Sequence, residues 1–245
     1  MFGRLTLATM VSAVALLATP ARGVDCAASM SGGHEFTACR IDLQGQSLRL
    51  YYADANGSPY ASFARLRTSL ASEKKRLVFA MNAGMFHPDK KPVGLLVIEG
   101  RELAPVNRSP GVGNFFIEPN GVFLIDESGA RVIETMDYRN LSPSLATQSG
   151  PLLVHRGLIP SSAAFGVNSR SRHVRNGVCV PEPGVAVFVI SSEAVTFREF
   201  ALYFRDVLGC GEALYLDGSI SSLYFPHLQR ADAHAQLGPM FAVVE

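Results

Sequence analysis

The stretch Ala213-Leu-Tyr-Leu-Asp-Gly-Ser-Ile-Ser-Ser222 sets the reading of the whole chain, because an apolar β-type run breaks at a lone carboxylate, Asp217, into a Gly/Ser loop. Acidic residues seldom end a buried strand without a task, although an Asx-turn capping the strand end is the bland alternative. Gly218 can take positive φ and let a ligand approach the backbone, while Ser219, Ser221 and Ser222 add N–H and O–H donors suited to an oxygen-rich substrate. The same pattern of short apolar run and Gly, Pro, Asn or Ser break recurs in Ser47–Ala53, Leu77–Met81, Val93–Ile98, Asn120–Ile125, Arg131–Thr135, Pro151–Val154, Gly184–Ile190 and Phe241–Val244. Helical periodicity is confined to two places. One begins with Pro59 at the first helical position, sets Phe63, Leu66 and Leu70 on one face and closes at Lys74-Lys-Arg76; the other runs from Phe197 to Leu208, with Thr196 and Glu199 as a capping box and Gly209 as its C-cap. Two helices among eight or more strands predict an α+β single domain with a mixed or mostly antiparallel β-sheet flanked by a few helices. No repeat, low-complexity linker or composition shift divides residues 24–245.

The N-terminus reads differently. Arg4 precedes an uncharged apolar run from Leu5 to Ala18, and Ala21 and Gly23 supply the small-x-small spacing of a cleavage site, so residues 1–23 are expected to be a secretory signal peptide. Asp25 before Cys26 argues against a lipoprotein signal. Later runs are too short or too charged to span a membrane, and no stable membrane insertion is expected. Removing 23 of 245 residues leaves 222, with 20 basic and 21 acidic side chains. That balance gives no broad field for nucleic acid or anionic lipid, so any anion must be held by a local site. Periplasmic or secreted localisation follows, and the four cysteines then read as two disulfides. Three pairings are open; the favoured one joins Cys26 to Cys39 at the mature N-terminus and Cys179 to Cys210 between a strand and a helix end. No Cys-x-x-Cys or His-x-x-x-His spacing supports zinc.

Four more polar stretches adjoin apolar strands: Asn82-Ala-Gly-Met-Phe86, 111–123 with Gly113-Asn-Phe and Pro119-Asn-Gly-Val-Phe123, Thr147-Gln-Ser-Gly-Pro-Leu-Leu-Val154 with Gly157 after it, and Arg175-Asn-Gly-Val178. Strand-end loops of this kind carry binding groups on rigid scaffolds. Together with Leu216-Asp-Gly-Ser-Ile-Ser221, and in this order, they resemble the phosphodiester glycosidase family, closest to its bacterial exported branch. The resemblance covers most of the mature chain. It departs from the family where Ser219 and Ile220 interrupt the glycine run after the aspartate, and where Asn-Gly follows the arginine in place of Thr-Ala.

The resemblance implies a hydrolase that cleaves the glycosidic bond of a sugar 1-phosphodiester, with a small-molecule or glycan phosphodiester as its partner. The residue types fit that chemistry independently. A phosphate leaving group departs with little protonation, which relaxes the need for a second carboxylate and puts weight on one nucleophile or base and an anion clamp. Asp217 is the candidate catalytic carboxylate and Arg175 the candidate phosphate clamp, a planar two-pronged donor with Arg172 and Arg170 near it in sequence. Asn82, Gln148, Ser149, Asn176, Gly218, Ser219 and Arg172 are the candidate substrate binders; Asn82 and Gln148 would equally hold neighbouring loops together. Glu118 is the reserve carboxylate and His173 a reserve acid. No metal or cofactor is called for, although carboxylate, amide and carbonyl ligands would suit Ca²⁺ or Mg²⁺. A non-catalytic envelope protein that binds phosphorylated or anionic glycans is the alternative function. A serine hydrolase is disfavoured by the absence of Gly-x-Ser-x-Gly.

Overall fold

The computed structural model describes residues 23–245, so residues 1–22 of the expected signal peptide lie outside the described residues. Three antiparallel sheets carry the chain. The first has six strands in the order Val24–Ser31, His34–Asp42, Val185–Ser191, Asn176–Glu182, Ala213–Tyr215 and Leu152–Val154. The second runs Arg230–Ala231, Leu223–Phe225, Leu77–Asn82, Met240–Val244 and Leu48–Tyr51; the third runs Arg101–Ala104, Leu96–Ile98, Leu145–Ser149, Gly121–Asp126 and Gly129–Glu134.

The period-2 alternation of a strand explains how these sheets share one core. Along Val185–Ser191, Ala186, Phe188 and Ile190 face inward with Phe79, Met81 and Phe241 of the second sheet and Phe123 and Leu96 of the third. Val187 and Val189 point the other way, to the helix Phe197–Leu202 and its residues Phe197, Phe200 and Ala201. The second sheet is covered likewise: Leu77, Ala80 and Ala242 meet Phe63, Leu66 and Leu70 of the helix Phe63–Ser72. Strands buried on both faces must be apolar at almost every position, which is why Leu77–Asn82 and Val185–Ser191 read as continuous runs rather than as alternating ones. Phe188 is the meeting point, with ring centroids 5.5 Å from Phe79, 6.0 Å from Phe123 and 4.9 Å from Phe241.

The α+β reading holds in coarse form: the sheets are antiparallel in every pairing, and the helices are few and short. Local boundaries moved. Pro59 does not open the first helix; it bridges to Ala53, and Ser62 caps the helix by accepting from the Arg65 N–H at 3.2 Å. The second helix keeps its Thr196/Glu199 capping box but widens after Leu202 into a π-turn, Tyr203–Val207, before Gly209 takes φ +68°. The hairpin Val24–Ser31/His34–Asp42 turns at Gly32-Gly33, both at positive φ. Cys26 bonds to Cys39 directly across that hairpin, and Cys179 to Cys210 beyond the helix end, as favoured from sequence. No helix among the described residues is long and apolar enough to cross a membrane.

Because Phe188 touches all three sheets, Phe188→Ala removes a ring whose space no single sheet can collapse into. The variant is expected to lose about 3–5 kcal/mol of stability in urea denaturation; a loss under about 1 kcal/mol would show that the sheets do not depend on this junction.

Candidate active site

Ends of strands from all three sheets meet at one place. Asn82 ends Leu77–Asn82 of the second sheet, Asn176 begins Asn176–Glu182 of the first, Ser149 ends Leu145–Ser149 of the third, and Asp217 follows Ala213–Tyr215. Asn82 and Asn176 are fully buried, so their amides must find partners inside the protein. They find each other: Asn176 Nδ2 donates to Asn82 Oδ1 and to the Asn82 carbonyl, each at 3.0 Å. Asn82 Oδ1 also accepts from the Ser222 N–H at 2.8 Å, and Asn82 Nδ2 donates to the Asp217 carbonyl at 3.1 Å. Ser221 Oγ lies between the Val174 carbonyl and Asn176 Oδ1, at 3.0 and 3.1 Å. Ser149 Oγ donates to the Leu216 carbonyl at 2.8 Å. The backbone on both sides of Asp217 is thereby fixed from three sheets.

The Asp217 carboxyl receives much less. Oδ1 accepts from the Ser219 N–H at 3.2 Å, and burial pushes the acid up to about 6 against that single backbone donor. Carboxyls shifted by burial are enriched at functional sites, which makes Asp217, at a convergence of strand ends, the candidate catalytic group.

Tyr215, two residues earlier and so on the same side of the chain, is the functional neighbour that sequence reading missed. Its place in the run Ala-Leu-Tyr-Leu suggested core, and the ring is indeed buried, edge-on to Phe197 with centroids 4.7 Å apart. Its hydroxyl, however, accepts from Arg175 Nη1 at 3.3 Å and packs against Gly218, and both the Arg175 guanidinium and the Asp217 carboxylate act on it electrostatically. Burial pushes this phenol up to about 12, so it stays a neutral O–H. Gly218 is required here for space rather than for positive φ: a Cβ on it would lie 1.8 Å from the Tyr215 hydroxyl oxygen. The close approach expected of a ligand is made by Tyr215.

Arg175 reaches the site from behind. Its side chain has no exposure, its Nε donates to the Val195 carbonyl at 2.8 Å, Nη2 to the Ser171 carbonyl at 2.9 Å, and its plane lies over the Phe197 ring at 3.7 Å. Burial lowers its pKa, and nothing in its surroundings exposes an edge with which to grip a phosphate. The nearby Arg172 is exposed and forked onto Glu199 at 2.7 and 3.0 Å, away from the junction. Gln148 is 1 % exposed and spends its amide on the Leu95 and Asn107 N–H groups, the Asn107 carbonyl and Thr135 Oγ1. Of the two roles expected for Gln148, its contacts are those of a loop holder. Ser149, fully buried, is likewise a strut and presents no hydroxyl to solvent. Glu118 is exposed beside Pro119, His155 and Arg156 in a separate groove. Ser219 is exposed, and with Gly218 and Ser221 it lines a cleft of about 380 Å³ bounded by His173, Ser192, Arg230, Asp232 and His234. A larger groove of about 830 Å³, lined by Tyr52, Asp54, Lys91, Glu99 and Arg101, offers surface charges but none of this buried convergence. Among the described residues no group of three or more His, Cys, Asp or Glu side chains is placed to hold a metal ion.

The upward pKa shift of Asp217, to about 6, makes stability depend on pH in one direction. Between about pH 4 and 6 the folded protein holds a proton that the unfolded chain has lost, so stability falls as pH rises through that window, by on the order of 3 kcal/mol. Asp217→Asn should therefore be more stable than the native protein at pH 8 and equal to it near pH 4 when both are unfolded in urea; an Asn variant less stable at pH 8 would mean that the carboxylate is a structural partner.

Comparison with known proteins shows the family. Residues 75–243, which hold Asn82, Gln148, Ser149, Arg175, Asn176 and Asp217, match the family model described as phosphodiester glycosidase. Uncharacterized protein YigE of Escherichia coli (strain K12) is 32 % identical over 185 residues, covering 75 % of this chain and 72 % of that protein. Two solved structures share the fold at low identity. A hypothetical protein from Synechocystis has a TM-score of 0.55 and 17 % identity over 90 % of this chain, which spans 61 % of that protein. A putative exported protein from Burkholderia pseudomallei K96243 has a TM-score of 0.57 and 12 % identity, covering 86 % of this chain and 74 % of its own. On the strength of the family match and the E. coli relative, the chain belongs to the phosphodiester glycosidase family.

Proposed function

We propose that the protein is an exported hydrolase that cleaves the glycosidic bond of a sugar 1-phosphodiester, with Asp217 acting at the anomeric centre. The observation that carries this reading is the Asp217 carboxyl itself: half-buried, shifted upward by desolvation, held by one N–H, and fixed at a junction of three sheets within the family's matching region. A carboxylate in this state is a stronger base than one in water, and its lone pairs are largely uncommitted. In the reaction the bond between the anomeric carbon and the bridging oxygen breaks, and its electron pair leaves with the phosphate monoester. A water oxygen bonds to the anomeric carbon. Asp217 takes the water's proton, or first takes the glycosyl group and is released by water, and the proton passes finally to the phosphate or to solvent.

Arg175 supports this chemistry indirectly. Its guanidinium fixes the Tyr215 hydroxyl, and Tyr215 in turn supports Gly218, so the loop carrying Asp217 rests on a rigid, positively charged backing. Export is supported by the expected signal peptide and by two disulfides, which persist in an oxidising compartment such as the periplasm or the outside of the cell.

The test is release of reducing sugar from a panel of sugar 1-phosphodiesters, the α-linked N-acetylglucosamine type included. Asp217→Asn is expected to lower kcat by about 10²–10⁴-fold while the ligand still binds. Because a phosphodiester carries one fixed negative charge near neutrality, the acid limb of kcat/KM belongs to the enzyme and should rise through about pH 6, where Asp217 ionises. Binding of the panel without turnover would instead favour a glycan-binding envelope protein.

A further inference from the structure

The cleft beside Asp217 carries a set of groups that the family match does not assign. The loop that bears the acid lines it through Gly218, Ser219 and Ser221; His173 joins from the segment before Arg175, and Arg230 and His234 from the C-terminal part of the chain. Arg230 is oriented. Its Nε and Nη2 lie 3.1 and 3.0 Å from Asp232 Oδ2, and that oxygen also accepts from the Leu223 N–H at 2.9 Å. Asp232 is thus occupied as a brace, and Arg230 Nη1 has no partner among the described residues. His173 is anchored by its backbone, which exchanges hydrogen bonds with Val195 at 3.2 and 2.9 Å, so its exposed imidazole is held at the rim without being used in the fold. His234 is exposed as well.

We propose that this cleft is the phosphoryl subsite, in which Arg230, His173 and His234 receive the anionic half of the substrate while Asp217 addresses the sugar. The inference rests on the glycosidase reading for its substrate, but it makes its own claim about where the negative charge sits. A guanidinium with one free N–H₂ and two imidazoles provide charge-assisted donors that converge from different segments, and the Ser219 hydroxyl adds a neutral one. The buried Arg175 cannot serve in this way, since its three nitrogens already bond to Val195, Ser171 and Tyr215. The cleft begins on the loop that carries the acid, at Gly218 and Ser219, although Asp217 does not itself line it. The Ser219 N–H that holds the Asp217 carboxyl belongs to the same residue that lines the cleft, so an anomeric carbon at the acid would have its phosphoryl group next door.

The test uses inorganic phosphate and methyl phosphate as probes, titrated calorimetrically into the purified protein, so that no turnover is needed. The variants are the double substitution His173→Ala/His234→Ala, which removes no hydrogen bond from the fold, and separately Arg230→Gln, with melting temperature as the check on folding. Millimolar or tighter binding by the native protein, weakened about tenfold or more in both variants, is the expected result. Equal affinity in native and variant proteins, or no binding of either probe to the native protein, would overturn the assignment. The two readings fail separately. Weakened phosphate binding in a protein that turns over no phosphodiester keeps the subsite and removes the glycosidase, whereas turnover with phosphate affinity indifferent to the three substitutions keeps the glycosidase and removes the subsite.

Discussion

The structure depends on one buried amide pair. Asn82 and Asn176 sit where the second and first sheets abut, and neither side chain can reach water. Inside a protein an unpaired amide costs roughly 1–3 kcal/mol per group, so each asparagine makes the other's position obligatory. Asn82 uses both ends of its amide, on Asn176 and Ser222 with the oxygen and on the Asp217 carbonyl with the nitrogen. Ser221 and Ser149 extend the same network to the Val174 and Leu216 carbonyls. The consequence is positional. A loop of Gly and Ser residues, which would otherwise be mobile, becomes a fixed platform, and the acid projects from that platform with its side chain still uncommitted.

That arrangement separates stability from chemistry. The aromatic junction at Phe188 and the two helices that cover the outer faces hold the sheets together, while the polar junction holds their ends. Asp217 is tolerated at a site that disfavours its charge because the backbone on both sides of it is held by Asn82 and Ser149. Tyr215 and Arg175 belong to the supporting side of this division. Neither faces solvent, and both act on the loop through a single hydroxyl.

The strands buried on both faces and both helices were legible in the sequence, because continuous apolar runs and a capping box are local signals; the even cysteine count pointed to two disulfides but left three pairings open, and the assembled sheets decide among them. Strands with polar or glycine-rich ends were harder. Leu145–Ser149 and Asn176–Glu182 look like loops in sequence because Gln148, Ser149 and Asn176 are polar, yet those residues are buried in a network that only the assembled sheets create. The acid was visible as a lone carboxylate at a strand end. Arg175 was visible as a cation beside it in family order, but not its enclosure, since that follows from Phe197 and Tyr215, which are remote in the chain or disguised as core. Arg230 and His234 had no local signal; only tertiary structure brings them to the Asp217 loop.

The most direct measurement is a crystal structure of the Asp217→Asn variant with an uncleaved sugar 1-phosphodiester. The account predicts the anomeric carbon within about 3.5 Å of the substituted side chain, in near-attack geometry, with the sugar resting on the Gly218–Ser219 loop. A ligand seated instead in the groove between Tyr52 and Arg101, with no contact to the side chain at position 217, would contradict it.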